Sequence, residues 1–206
     1  MFYKLRPDFS DWNFSKITPA TYICGYCGTK VSSDKGMYLK DKAMGDSYAN
    51  NSKAFGVFIC TSCNLPSFIA ESEDGSMIQV PGINYGNSVL HLPDDVNEIY
   101  EEMRRCYSVS SYTGVISLGR ILLDHIAVDW GAKSGQSFQQ NVKYLKDNHY
   151  IAANSEKWVD LIRQYGNKSN HKLVINTQTD AQNIIKFCEM ILKTNYEYQF
   201  IADNEI

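Results

Sequence analysis

The sequence predicts an α+β protein in which a small β-rich unit precedes an all-α helical bundle. Residues 1–88 contain short β-type runs, are rich in Gly, Ser, Asn and Tyr, and show no long helical period. From residue 91 onward, apolar residues recur at helical spacing. Two pairs of cysteines lie entirely within the first part. We therefore predict two domains, 1–88 and 89–206.

The bulk composition is that of a soluble globular protein. The chain has 206 residues, a formal net charge of −3 and 44% hydrophobic residues. No global basic field is present to drive unspecific binding to nucleic acid. No segment approaches the roughly 20 apolar residues that a membrane-spanning helix requires. We expect no membrane partner and a cytoplasmic location, where reducing conditions favour cysteines as metal ligands or buried thiols.

Three β-type runs predict strands in the first domain. They are "AFGVFIC" at 54–60, "PSFIA" at 66–70 and "SMIQV" at 76–80. The tripeptide "EDG" at 73–75 predicts a hairpin turn between the last two runs, and residues 40–53 read as a polar loop.

Five amphipathic helices are predicted in the second domain. Asp95 and Glu98 are expected to cap the first, and Thr179 and Gln182 the last. The second spans about 112–130, where Gly119 weakens the helix unless a neighbouring helix approaches closely. The last helix carries the longest apolar stripe and should lie at the centre of the bundle. Caps predict the starts of the third and fourth helices, at Ser137 and Ser155.

The motifs "CGYCG" at 24–28 and "CTSC" at 60–63 are the most specific chemical signal in the chain. Two thiolates two residues apart can bind one Zn²⁺ where the backbone turns tightly, and Gly25 and Gly28 permit such a turn. Tetrahedral zinc needs four ligands, so we predict a structural zinc ribbon. Disulfides or a redox C-x-x-C pair are the alternatives. The predicted ligands are Cys24, Cys27, Cys60 and Cys63.

The stretch "RQYGNKSNH", residues 163–171, admits two interpretations. Arg163 falls in the last turn of the fourth helix, where a cation stabilises the helix dipole. Alternatively, Arg163 braces a phosphate while His171 transfers a proton to or from a ribose oxygen, without any metal. Lys168 and Lys172 flank His171 and could attract a phosphate, as could Asn167 in the same loop and Arg120 on the second helix.

The second half resembles the HEPN superfamily of helical bundles, and more closely its member known as domain of unknown function 4145. The segments that carry the resemblance are "DDVNEIYEEMRRCYSVSSYTGVISLGRILLDHI" (94–126), "WVDLIRQYGNKSNH" (158–171) and the final amphipathic helix. The resemblance covers about residues 91–198. A zinc ribbon in front of such a domain is also similar to arrangements in that family.

In HEPN ribonucleases, an arginine and a histidine separated by about four to six residues form the active site, commonly across a homodimer interface. The resemblance therefore implies that Arg163 binds the scissile phosphate and that His171 is the acid/base. In this chain seven residues separate the pair, and Gln164 replaces the smaller polar residue of active members.

Two functions follow from these observations. The first is a recognition or scaffold protein with structural zinc, a homodimer with an RNA or protein partner in a prokaryotic defence or nucleic-acid-processing context. The second is a metal-independent endoribonuclease built on Arg163 and His171. A sequence-specific DNA-binding regulator is disfavoured, since no helix-turn-helix with a basic recognition helix can be identified.

Overall fold

The computed structural model describes residues 15–38, 55–71, 77–152, 155–167 and 175–204. The chain divides into two compact units, Met1–Asn84 and Tyr85–Ile206. The first contains an antiparallel sheet and the second contains helices, so the predicted α+β class is confirmed.

The β unit is a five-stranded antiparallel sheet whose strands follow one another in chain order. The three predicted strands are confirmed, while the first two strands were not predicted. The predicted turn at 73–75 and most of the predicted loop at 40–53 lie outside the described residues. The strands are β1 (Ser15–Ile23), β2 (Lys30–Tyr38), β3 (Phe55–Ile59), β4 (Pro66–Glu71) and β5 (Met77–Val80).

Strands β1 and β2 form although each contains residues that are unfavourable in a sheet, Pro19 in β1 and Asp34 and Gly36 in β2. Pro19 is tolerated because β1 lies at the edge of the sheet, and the register shifts between Lys16 and Ala20. In β2, Ser33 is buried, and its hydroxyl donates to the carbonyl oxygen of Ile59 on β3 at 2.6 Å. This bond links the two strands beyond the last backbone pair, Gly36 and Phe58.

The two faces of the sheet differ in burial. Side chains on one face, including Phe58 and Ile69, form a small core with residues from β1 and β2. Their neighbours along the strands, Val57 and Phe68, point to the opposite face, because successive side chains in a strand alternate. On this opposite face burial is uneven: Val57 is half-buried and Phe68 is exposed, whereas Ile59 and Ala70 are buried.

The helical unit begins with a segment that has no regular secondary structure, and its described residues then form six α-helices. None of the described helices is long and apolar enough to span a membrane. The helices are α1 (Asp94–Ser108), α2 (Tyr112–Asp129), α3 (Phe138–Asp147), α4 (Glu156–Asn167), α5 (Gln178–Leu192) and α6 (Tyr198–Asn204).

Helix α2 packs against α1, α3 and α5. Gly119 on α2 leaves room for Ile184 on α5, since an added Cβ would lie 2.5 Å from Cγ1 of Ile184. Trp158 on α4 stacks on Phe187 of α5, with ring centroids 6.2 Å apart. Helix α5 supplies the largest share of the buried core, as its apolar stripe predicts; these residues are Ala181, Ile184, Ile185, Phe187, Cys188, Ile191 and Leu192.

The helix caps agree with the prediction at α3 and differ from it at α5 and at α1, where the predicted box between Asp95 and Glu98 is wrong. Ser137 and Gln140 form a reciprocal capping box at the start of α3. The predicted box at Thr179 and Gln182 is wrong, because α5 begins earlier, with a reciprocal box between Thr177 and Asp180. Helix α1 begins at Asp94 without a side-chain cap.

A π-helical turn, Lys193–Glu197, joins α5 to α6. Within this turn, the side-chain amide of Asn195 donates to the carbonyl oxygens of Tyr150 and Ile191 at 3.0 and 2.8 Å. The carboxylate of Glu197 accepts from the backbone amide of Leu90 at 2.8 Å. On α6, Phe200 stacks on His91 with ring centroids 3.7 Å apart. The wider turn thus orients side chains toward distant segments of the unit.

The segment that precedes α1 is held against α1 and α5 by polar contacts. The carboxylate of Glu189 accepts from the backbone amide of Asn87 at 3.0 Å and from its side-chain amide at 2.8 Å. Lys193 lies 3.0 Å from the same carboxylate. Burial raises the pKa of Glu189, but the hydrogen bonds from Asn87 and Lys193 outweigh burial and hold the pKa below its ordinary value. The charged carboxylate therefore stabilises this segment.

Candidate metal centre

The four predicted ligands lie in two hairpin turns at the same end of the sheet. Cys24 and Cys27 follow β1, and Cys60 and Cys63 follow β3. Because β1 and β3 are each antiparallel to β2, they run in the same direction, and the turns that follow them lie at the same end of the sheet. The strand order thus explains how two motifs far apart in sequence meet.

The two turns have matching backbone hydrogen bonds. The amides of Cys24 and Cys60 donate to the carbonyl oxygens of Thr29 and Leu65 at 2.9 and 3.0 Å. Four residues after each first cysteine, the amide of Gly28 or Asn64 donates back to that cysteine's carbonyl oxygen at 2.9 Å. Each turn is therefore a local copy of the other.

Backbone amides also donate to sulfur in both turns. The amide of Tyr26 lies 3.4 Å from Sγ of Cys24, and the amide of Ser62 lies 3.4 Å from Sγ of Cys60. Hydrogen bonds to sulfur favour the thiolate form that a metal requires.

Gly28 and Asn64 occupy equivalent positions with a left-handed backbone, with φ of 70° and 59°. Glycine adopts this conformation without steric cost, and asparagine is the most tolerant of the other residues. Gly25 has a different role from the one predicted. A Cβ at Gly25 would clash with the carbonyl oxygens of Pro81 and Gly82, so this glycine permits close packing against the segment after β5.

The four sulfur atoms lie within 4.8 Å of one another. Sγ of Cys24 is 3.7 Å from Sγ of Cys63, and Sγ of Cys27 is 3.8 Å from Sγ of Cys60. Zinc–sulfur bonds of about 2.3 Å in a tetrahedron place neighbouring sulfurs roughly 3.8 Å apart. All four cysteines are free thiols, so no disulfide links them. The arrangement is compatible with a metal such as zinc.

The thiols differ in their readiness to ionise. Burial raises the pKa of Cys24 to about 11, and burial also raises the pKa of Cys63. Burial has the same effect on Cys27, but hydrogen bonds from the side chain and backbone of Thr29 outweigh it and lower the pKa of Cys27 to about 6. A bound dication would supply the positive charge that stabilises the buried thiolates.

Tyr22 packs beside the cluster. It is a buried residue of β1, two residues before Cys24, and its ring centroid is 6.3 Å from that of Phe58. Within the described part of the chain, its buried hydroxyl has no hydrogen-bond partner. Its aromatic body contributes apolar burial where the core is small.

The proposed phosphate-binding residues are placed only in part. Arg120 on α2 is half-buried, with its guanidinium carbon 5.1 Å from the centroid of the Phe138 ring. One turn later on the same helix, the carboxylate of Asp124 accepts from the side-chain amide of Asn141 at 2.9 Å. The others lie outside what the structure describes, namely the side chains of Arg163 and Asn167 on α4 and the residues Lys168, His171 and Lys172.

Two residues that support the centre were missed by the sequence reasoning. Asn64 matches Gly28, and the parallel between "CGYCG" and "CTSCN" could have identified it. Gln79 donates from its side-chain amide to the carbonyl oxygens of Ile23 and Pro81, at 2.8 and 3.0 Å. It ties the end of β1 to the exit of β5, and no local sequence signal reveals this contact.

A family model described as a domain of unknown function (DUF4145) matches residues 101–204, half of the chain. The chain belongs to this family. The predicted membership is thereby confirmed, and the match covers α2 to α6 together with most of α1. No curated protein matches the chain, and no solved structure does. The DUF4145 match lies wholly within the helical unit, so the four-cysteine centre lies outside it.

Proposed function

We propose that this protein is a zinc-binding recognition or scaffold protein in which a zinc ribbon is joined to a HEPN-like DUF4145 domain. The observation that carries the proposal is the cluster of four sulfur atoms within 4.8 Å. Four protein ligands complete a tetrahedral shell and leave no position for substrate, so the metal has a structural role. The ribbon then serves as a rigid platform for a protein or RNA partner, in a prokaryotic defence or nucleic-acid-processing context.

Metal analysis of the purified full chain tests the zinc assignment. We expect about one zinc per wild-type chain and almost none in a Cys24→Ser, Cys60→Ser variant, because two of four ligands are lost. Cys106→Ser provides the matched control, since Cys106 is a free, partly exposed thiol of α1. Equal zinc content in the wild type and the double variant would contradict the assignment.

The second candidate function is a metal-independent endoribonuclease. Its support is the sequence pattern of Arg163 on α4 followed by His171. In this scheme the guanidinium binds the scissile phosphate and the imidazole transfers the proton. RNA incubated with the protein in excess chelator should be cut by the wild type and left intact by His171→Ala. Equal cleavage by both proteins would exclude His171 as the acid/base.

A further inference from the structure

Tyr22 places a hydroxyl group in the small core of the β unit without a partner for it. The residue is only 5% exposed, and within the described part of the chain its hydroxyl has no hydrogen-bond partner. A buried polar group without a partner costs about 1–3 kcal/mol, so such groups are uncommon in folded proteins. Phenylalanine would fill almost the same space without this cost. The hydroxyl therefore indicates a partner that becomes available in another state of the protein.

The residues around Tyr22 place it beside the four-cysteine cluster. Tyr22 shares its core with Cys24 and Cys60, and Cys63 packs against that core. Tyr22 on β1 and Phe58 on β3 each precede the first cysteine of a turn by two residues, and their ring centroids are 6.3 Å apart. The two rings therefore pack together where the strands end and the two cysteine turns begin.

The electrostatic environment of the hydroxyl agrees with this placement. Burial raises the pKa of Tyr22, and the negative charges of the four cysteines, that of Cys60 most strongly, raise it further. Charges act on a phenol in this way only when they lie close to it. The phenol keeps its proton at neutral pH, so it is available as a hydrogen-bond donor toward the sulfur atoms.

Metal binding would make the sulfur atoms better acceptors. The sulfur of a neutral thiol is a weak acceptor, whereas a thiolate is charged and accepts stronger hydrogen bonds. Four thiolates carry more negative charge than one dication neutralises, so a buried centre of this kind is stabilised by donors around it. The backbone amides of Tyr26 and Ser62 already lie 3.4 Å from cysteine sulfurs in the two turns. The Tyr22 hydroxyl is a further donor, supplied from the core.

We propose that Tyr22 is a positioning residue of the metal centre, whose hydroxyl donates a hydrogen bond to a ligand thiolate when the four cysteines bind a metal. This inference rests on the proposed zinc centre. The bond stabilises the loaded centre, and the metal-free thiols offer no acceptor of equal strength. Retention of the metal therefore depends on a buried residue that is not itself a ligand.

The test compares metal binding by the full wild-type chain and by Tyr22→Phe, which removes the hydroxyl and keeps the ring. Hydrogen bonds to metal ligands contribute roughly 10- to 100-fold to metal affinity. We expect zinc to transfer to a competing chelator at least roughly 10-fold more readily from the variant. In the cobalt-loaded proteins, the sulfur-to-cobalt charge-transfer band should move to longer wavelength in the variant, because a sulfur that loses a hydrogen bond gives up electron density more easily.

Ser33→Ala is the matched control. It removes another buried hydroxyl of the same sheet, whose acceptor at 2.6 Å is the carbonyl oxygen of Ile59 and not a sulfur. This variant should lower the stability of the β unit and leave the charge-transfer band at its wild-type position. An equal band shift in both variants, or a Tyr22→Phe protein with unchanged zinc transfer, would overturn the proposal. Faster zinc transfer without a band shift would also overturn it, since that result fits a structural role alone.

A measurement on the wild-type chain covers the case in which Tyr22→Phe does not fold. The chain is loaded with an NMR-active isotope of cadmium, and the spectrum is searched for a scalar coupling between the metal and the Tyr22 hydroxyl proton. Such a coupling passes through a hydrogen bond to a ligand sulfur, so its presence supports the proposal and its absence contradicts it. A wild-type chain that binds no zinc would instead remove the proposed metal centre itself, so the two failures are distinguishable.

Discussion

The helical unit and the β unit differ in how much apolar surface holds them together. In the described part of the chain, the helical core contains 24 buried residues, drawn from α1 to α5, the loops between them and the segment before α1. The core of the β unit contains eight, and two of those are the cysteines Cys24 and Cys60. Burying a large apolar side chain contributes about 1.5–3 kcal/mol, so the helical unit can fold on packing alone. The β unit needs a further source of stability, and four thiolates on one cation would provide it, in line with the proposed zinc centre.

Metal removal is the strongest way to separate the two units. We expect excess chelator to abolish protection from hydrogen exchange in peptides from residues 15–71, while peptides from α1 to α5 keep theirs. Apparent metal-binding energies in small zinc domains are about 10–16 kcal/mol, which is as large as the gross contribution of burying so small a core. Hydrogen-exchange mass spectrometry with and without chelator measures this. Uniform loss of protection in both units, or no loss in the sheet, would contradict the inference that a metal stabilises the β unit alone.

Close packing in the helical unit is tested by Gly119→Ala. The added Cβ meets Cγ1 of Ile184 at 2.5 Å and Sδ of Met103 at 3.2 Å, and both lie in a filled core. Overpacking costs about 1–3 kcal/mol, against a gain of about 1 kcal/mol in helix propensity, so we expect a lower free energy of unfolding. Urea denaturation followed by the fluorescence of Trp130 and Trp158 reports on this unit.

Gly114→Ala on the same helix is the matched control. Its Cβ would meet Oγ of Ser111 at 2.9 Å, a side chain that can rotate away. This variant should be as stable as the wild type or more so, by up to about 1 kcal/mol. Equal destabilisation of both variants would show that the packing against Ile184 is not the cause.

The smallest expected effect concerns acid sensitivity. The folded-state pKa of Glu189 lies below the unfolded value of about 4.3, so its contribution to stability is present above that pH and is lost as pH falls through the folded pKa. Glu189→Gln should therefore lower the free energy of unfolding near neutrality by about 1 kcal/mol and lower it less under acid conditions. Urea titrations of the wild type and the variant, one series near neutral pH and one below the unfolded pKa, measure the loss of unfolding free energy in each condition. A deficit of equal size at both would exclude a role for the charge.

The four-cysteine cluster was predictable because its information is local. The spacing of two cysteines determines whether both sulfurs can bind one ion. The two-residue spacing can be read directly from the sequence for Cys24 and Cys27 and for Cys60 and Cys63. Helices α1 to α5 were predictable for a similar reason, since each apolar stripe is contained within its own segment, whereas the short α6 was not predicted. Strands β3, β4 and β5 have β-branched and aromatic residues that indicate their conformation without help from neighbours.

Strands β1 and β2 were not predictable, because their stability depends on contacts across the sheet. Pro19 argues against a strand unless the strand lies at an edge, and edge position is a property of the assembled sheet. Ser33 reads as a surface residue until Ile59 is known to accept its hydroxyl. The cap of α5 was misplaced by two residues, since Thr177 and Asp180 form the reciprocal pair with a shorter acidic side chain than the usual glutamate.

The π-helical turn at Lys193–Glu197 determines which side of α6 faces the rest of the helical unit. A π turn holds one residue more than an α turn, and each residue advances an α-helix by about 100°. The loss of one residue here would return the helix to an even pitch and rotate α6 by that angle about its axis. Phe200 would then swing away from the imidazole of His91. Insertions and deletions in this five-residue window therefore change the facing of the carboxyl-terminal helix, even where every side chain is retained.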